Sequence, residues 1–139
     1  MPSARDVAAG QEVPTLARIV TREDVKAYAD AGGDQNPLHQ DERVARAAGF
    51  PAIPAHGMFT MGHLATCISL WAGGAQRIRR LSAQFRAPVF LGDEIVAGGR
   101  VKAVDAERGV VLVECWVAVE REGLKEWPIK RGEADVLLE

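Results

Sequence analysis

The hexapeptide Asp34-Gln35-Asn36-Pro37-Leu38-His39 sets a carboxylate and an imidazole five positions apart. Pro37 keeps Asn36 out of the helical region, so the segment must bend at its centre. A bend of that kind lets Asp34 and His39 address one water molecule. Such a pair can do general acid–base work near neutral pH, because each group holds or releases a proton as its neighbour shifts its affinity. Asn36, between them, is positioned to fix the backbone or to orient one of the pair. Asp and Asn are also common turn residues beside proline. Spacing alone therefore leaves a purely structural turn open.

His56-Gly57-Met58 is the second stretch with chemical potential. Pro51 and Pro54 forbid an earlier helix, so one begins at His56-Gly57. The first turn of a helix presents unpaired N–H groups and a partial positive charge, and Gly57 has no Cβ to hold a ligand off. These features suit an oxygen whose charge grows during reaction, such as a thioester carbonyl becoming an enolate. Gly57 equally suits tight helix–sheet packing, and His56 suits a helix cap or a core position. His63, further along the same segment, reads as a hydrogen-bonded core histidine.

Other chemistries fit less well. The histidines lack the i, i+4 pairing of a helical zinc site and no cysteine cluster accompanies them, so no metal is expected. Gly73-Gly74 stops a helix and is unlike a phosphate loop. Cys67 and Cys115 are isolated and read as buried thiols in a reducing compartment. Arg77, Arg79, Arg80 and Arg86 are the one basic concentration. They suit a solvated sheet face, or a pocket mouth that receives the phosphates of a carrier.

The elements that carry these residues follow from period and punctuation. No Asp, Glu, Lys or Arg occurs from Phe50 through Gln76, in a chain that is 26% charged. Apolar side chains from Met58 to Trp71 point all round a helical wheel, the mark of a membrane span or of a buried axis. His56, Thr60, His63, Thr66 and Ser69 interrupt the run and no Lys/Arg-rich flank adjoins it. Ala55–Trp71 is therefore expected as a buried helix about 25 Å long. Thr21 reads as the N-cap of a shorter helix with Glu23 and Asp24 in its first turn and Gly32-Gly33 at its end. Asp41-Glu42 starts another, closed by Gly49.

Val13–Val20 reads as a first strand or an extended arm. Ile78–Phe90, Glu94–Val104, Val110–Val119 and Trp127–Leu138 are rich in β-branched residues and are parted by turn sequences. Connections this short exclude parallel crossovers, so the four are expected as an antiparallel meander. Helices followed by strands predict an α+β class, an antiparallel sheet wrapped around the long central helix. The length suits a single domain over residues 1–139. A net charge of −2 argues against nucleic acid or an anionic membrane as partner. No cationic stretch followed by an apolar run opens the chain, so no signal peptide is evident and a cytoplasmic location is expected.

Taken together, these residues resemble the MaoC-like dehydratases, also called R-specific enoyl-CoA hydratases, of the hot-dog fold. The likeness runs from about Thr21 to Val136. It is carried by Asp34-x4-His39 with Asn36-Pro37 inside it, by Gly49-Phe50, and by Ile53-Pro54-Ala55-His56-Gly57-Met58. Phe85-Arg86-Ala87-Pro88-Val89 and Gly92-Asp93 look like the family's first long strand and turn. The segment from His56 to Trp71 looks closest to mycobacterial-type 3-hydroxyacyl carrier-protein dehydratase subunits.

The resemblance implies a hydro-lyase of fatty acid metabolism acting on thioesters of CoA or acyl carrier protein. Water would add at C3 of a trans-2-enoyl thioester, or leave the (R)-3-hydroxyacyl thioester. Asp34 and His39 would hold and activate that water. Gly57 would offer its N–H to the thioester oxygen, Asn36 would support the dyad, and His56 and Met58 would be binding neighbours. Met58, Phe59 and Met61 are candidates to shape the acyl tunnel. No cofactor is implied beyond the thioester carrier. A homodimer is implied, with the tunnel at the interface. The alternatives are a hot-dog thioesterase, which attacks the carbonyl, and a subunit that completes a partner's tunnel in a hetero-oligomeric dehydratase.

Overall fold

Gly57–Ala72 forms the longest helix, α3, of 16 residues. It starts once Pro54 no longer obstructs, and it stops at Gly73, whose φ of 96° a residue with a side chain rarely adopts. Before it come β1 (Glu12–Ile19), α1 (Arg22–Gly32), a 3-10 turn at Pro37–His39 and α2 (Glu42–Ala47). After it come β2 (Ile78–Ser82), β3 (Glu94–Asp105), β4 (Val110–Arg121) and β5 (Leu124–Leu137). The computed structural model describes residues 2–138.

The strands form one antiparallel sheet in the order β1-β3-β4-β5-β2. Val13–Val20 is thus a strand and not an arm. The expected four-strand meander needs correction. β3, β4 and β5 follow one another as hairpins, but β2 lies beyond β5 and pairs Ile78 with Val136. It also ends at Ser82 instead of running to Phe90. Residues 83–93 then return to β3 as an irregular segment, touching the sheet where Phe85 bridges Ile129. The reason is local: Pro88 offers no ladder donor and restricts Ala87, so β-type composition there does not make a strand.

Leu64, Cys67, Ile68 and Ala72 of α3 share one buried apolar cluster with Ile95, Ala97, Val113, Val117, Ile129 and Ala134 of the sheet. Each large side chain buried this way is worth about 1.5–3 kcal/mol. The helix expected to be buried on every side is nevertheless buried on one. Met58 is 53% and Leu70 69% exposed, because the sheet covers a single face and α1 reaches only the first turn, through Tyr28 and Phe59.

Polar side chains on the covered face fasten α3 to β1. His63 Nε2 donates to the Leu16 carbonyl at 2.8 Å and Cys67 Sγ to that of Pro14 at 3.4 Å, where the β1–β3 register slips. His63 is therefore the core histidine expected. Burial pushes the Cys67 thiol up to about 11 and the Cys115 thiol up to about 12, so both stay protonated and unreactive at neutral pH.

At the other end of the helical layer, Thr21 Oγ1 accepts the Asp24 N–H while Asp24 Oδ2 accepts the Thr21 N–H, a reciprocal cap that starts α1. Gly33, at φ 76°, ends α1 and sends the chain into the hexapeptide.

Candidate active site

Two side-chain-to-backbone bonds bend the hexapeptide. Asp34 Oδ1 accepts the Asn36 N–H at 3.2 Å, and Asn36 Oδ1 accepts the Leu38 N–H at 3.0 Å. Asn36 thus caps the 3-10 turn that carries His39, the backbone-fixing one of its two expected roles. The turn delivers His39 Nδ1 to the Pro54 carbonyl at 2.7 Å. A carbonyl only accepts, so Nδ1 carries the proton and Nε2 of the neutral ring keeps a free lone pair.

His56 ties this turn to the start of α3. Its Nε2 donates to the backbone carbonyl of Asp34 at 3.1 Å, while the Asp34 carboxylate stands 3.8 Å away, beyond hydrogen-bond range. The His56 ring stacks on His39 with centroids 3.9 Å apart and meets Tyr28 at 5.0 Å. It is 3% exposed. His56 is the helix's N-cap residue by position, but its side chain does not cap; it is a buried post between the two segments.

One carboxylate oxygen of Asp34 and one ring nitrogen each of His39 and His56 lie within 4.8 Å of one another. A single water making two hydrogen bonds of about 2.8 Å spans that distance. A divalent cation fits the same atoms less well. Its ligands must converge on a point about 2.0–2.1 Å from each nitrogen. Each of the two stacked rings, 28° from parallel, already has one nitrogen engaged by a backbone carbonyl, Nδ1 in His39 and Nε2 in His56.

Gly57 is the first residue of α3, and its N–H meets no backbone acceptor among the described residues. A Cβ there would meet the Phe85 ring at 3.4 Å. A groove of about 390 Å³ opens beside it, lined by Thr60, Phe50, Ala55 and the segment from Phe85 to Val89. Asp34, His39 and His56 are not in its walls; the His56–Gly57 peptide links them to it. Met58 faces away, exposed and outside the groove. A larger concavity of about 760 Å³ lies between Arg100, Lys102, Trp116 and Trp127 and holds none of these residues.

The arginine cluster comes apart in three dimensions. Arg80 pairs with Asp135 at 2.9 Å and Arg77 donates to the Leu137 carbonyl at 3.2 Å, leaving Arg86 as the one that borders the groove. Sequence reasoning also missed three contributors: Thr60, Phe85 and the Pro54 carbonyl. Thr60 was within reach, since it lies three residues after Gly57 on the same helix face. A backbone carbonyl carries no residue-type signal, and Phe85 arrives from a distant segment.

A MaoC-like domain profile matches residues 5–122. The chain belongs to the MaoC-like family. This MaoC-like chain is 32% identical over 130 residues to the 3-hydroxybutyryl-CoA dehydratase of Methylorubrum extorquens, covering 88% of the chain and 82% of that protein. It is 42% identical over 87 residues to the mitochondrial 3-hydroxyacyl-[acyl-carrier-protein] dehydratase of Arabidopsis thaliana, covering 63% of the chain and 51% of the relative. Its structure matches an (R)-hydratase from Aeromonas caviae with a TM-score of 0.86 at 25% identity, covering 97% and 99% of the two chains. A MaoC-like dehydratase gives a TM-score of 0.89 at 32% identity, covering 99% of this chain and 42% of that one. The chain thus spans about half the length of the Arabidopsis protein and less than half of the second structure. The architecture is the α+β hot-dog fold of these MaoC-like neighbours.

Proposed function

We propose that this chain is an (R)-specific enoyl-thioester hydratase and, in reverse, an (R)-3-hydroxyacyl-thioester dehydratase, working as one MaoC-like domain. The observation that carries the reading is the water-sized spacing of Asp34 and His39, with His39 Nε2 left free by the Pro54 carbonyl. Asp34 and Nε2 accept the hydrogens of one water. Its oxygen adds at C3 of the enoyl group while a proton is returned to C2 from the same pair, so the protein ends the cycle as it began. Negative charge builds on the thioester oxygen in between, where the Gly57 N–H and the dipole of α3 stabilise it. The reaction draws on no cofactor.

The apolar walls of the groove suit the arm of the thioester, and Arg86 at its edge suits a carrier phosphate of CoA or acyl carrier protein. The exposed Met58 and Leu70 on the open face of α3 support a homodimer in which a second copy covers that face and closes the tunnel. Among the described residues no helix is long and apolar enough to cross a membrane. The free, buried thiols of Cys67 and Cys115 suit a reducing compartment and support our reading of a cytoplasmic location.

The test is a panel of trans-2-enoyl-CoA substrates of increasing length, followed both by loss of enoyl absorbance and by release of free thiol. Loss of absorbance without thiol is expected. Thiol release without hydration would replace this reading with a thioesterase. Activity only on adding a second hot-dog protein would make the chain a subunit of a hetero-oligomeric dehydratase.

A further inference from the structure

The tautomer of His39 is set by the Pro54 carbonyl, and the fold holds that carbonyl by a route that begins on β4. Residues 53–55 run antiparallel to residues 89–91. Ala55 N–H donates to the Val89 carbonyl at 2.7 Å, and Leu91 N–H donates to that of Ile53 at 3.0 Å. Alternate residues of such a ladder face opposite sides. Ile53 and Ala55 are engaged by the 89–91 side, so Pro54 turns its carbonyl the other way, onto His39 Nδ1. Proline has no N–H, so no donor is stranded at that position.

The segment from 88 to 93 is held at Val20, which accepts the Gly92 N–H and donates to the Asp93 carbonyl at 2.8 Å each, and by the side chain of Arg121. Arg121 Nε donates to Asp93 Oδ1 at 3.0 Å, and its Nη2 donates to Asp93 Oδ2 and, at 2.9 Å, to the Pro88 carbonyl. Its Nη1 donates to Glu126, and the guanidinium lies 5.0 Å over the Phe90 ring. Asp93 Oδ2 also accepts the Phe90 N–H at 2.7 Å. Both ends of the segment and its middle are thereby tied to β4. With side chains 24% and 12% exposed, Arg121 and Asp93 form a sheltered pair, unlike the solvated pairs whose contribution is small.

We propose that Arg121 is a positioning residue for the hydration reaction. Through Asp93 and Pro88 it holds the segment 88–93, and through that segment the Pro54 carbonyl that keeps the proton on Nδ1 of His39. The inference rests on the reading of His39 as a member of the water-activating pair. Arg121 itself acts at a distance and need touch no substrate. Lysine is a poor replacement, since a point charge cannot reproduce a planar fork that serves Asp93, Pro88 and Glu126 together.

The experiment uses the full chain as wild type, Arg121→Met and Arg121→Lys. Long-range ¹H–¹⁵N spectra of the His39 ring, assigned by their loss in His39→Ala, report the tautomer without reference to activity. The wild type is expected in the Nδ1–H form, and Arg121→Met in a mixed or Nε2–H form. For Arg121→Met, kcat for crotonyl-CoA hydration should fall about ten-fold with KM within about two-fold of wild type, and Arg121→Lys should lie between. A merely structural arginine would lower Tm and leave the tautomer unmoved. A folded Arg121→Met with the Nδ1–H form and normal kcat overturns the proposal. Should that variant fail to fold, the same two results in Arg121→Lys overturn it. If the wild type hydrates no enoyl thioester, the functional reading falls, and the spectra alone decide: a shifted tautomer upholds the link from Arg121 to His39, and an unshifted one refutes it.

Discussion

His56 and His63 stand two turns apart on α3, and the helix treats them differently. Around His63 the polar atoms are spent on structure: His63 and Cys67 hold the carbonyls of Leu16 and Pro14, and the ring is buried against β1. Around His56 polar capacity is left over. Among the described residues its Nδ1 is buried without a partner, the Gly57 N–H has no backbone acceptor, and His39 Nε2 meets no protein group, while the Asp34 side chain is 54% exposed. Unsatisfied buried groups cost stability. Of these groups only His56 Nδ1 is buried; with three more accessible polar groups beside it, this end of the helix marks the place where a ligand has something to supply, and the paired middle marks the place that holds the fold.

The sharpest way to break this contrast is at Asp34 and His39. Asp34→Asn and His39→Ala should each lower crotonyl-CoA hydration by about 10²-fold or more with the thermal transition retained. Near-wild-type rates in both variants would refute the assignment. Gly57→Val should follow, with turnover down by about ten-fold or more because the carbonyl can no longer approach the N–H. If that variant instead unfolds early and its folded fraction turns over normally, the glycine serves packing against Phe85.

His63→Leu should give the opposite signature. Leaving the Leu16 carbonyl unpaired costs about 1–3 kcal/mol of stability, while kcat should stay at the wild-type value. Burial lowers the pKa of His63 below its ordinary 6.5, so between the two values the unfolded chain binds more protons than the folded one. His63 therefore contributes its full stability above the unfolded value and loses it as the pH falls below. Tm measured from pH 8 to pH 5 should decline less in His63→Leu than in the wild type; equal declines would show that His63 carries none of the dependence. The smallest effect is expected at the groove edge. Arg86→Ala should raise KM for CoA substrates about two- to five-fold and leave a short phosphate-free thioester unaffected. A matching rise for both would remove the phosphate from its role.

Much of this contrast was legible in the chain. Asp34, Asn36 and His39 announce a bend because proline and short polar side chains act on their immediate neighbours. The same holds for the cap at Thr21 and for the helix stops at Gly33 and Gly73. Composition misled where partners lie far away. Ile78–Phe90 has β-type residues, yet β2 ends at Ser82, and beyond it, on the approach to Pro88, only an isolated bridge from Phe85 to Ile129 continues the pairing with β5. The run from Met58 to Trp71 is apolar all round, yet the single chain has only one sheet face to set against it.

Sequence alone therefore determined the local devices: which residues turn, which cap, which helix carries no charge, and which carboxylate and imidazole share one bend. Tertiary structure decided what those devices meet. It set β2 beyond β5, broke the arginine group into separate contacts, laid Phe85 over Gly57 and aimed the Pro54 carbonyl at His39. The division is physical. Steric limits on φ and ψ act within a few residues and can be read in order. The proton position on His39 depends on a backbone carbonyl 15 residues away, held by an antiparallel bridge between Pro54 and Phe90 that joins segments far apart in the chain.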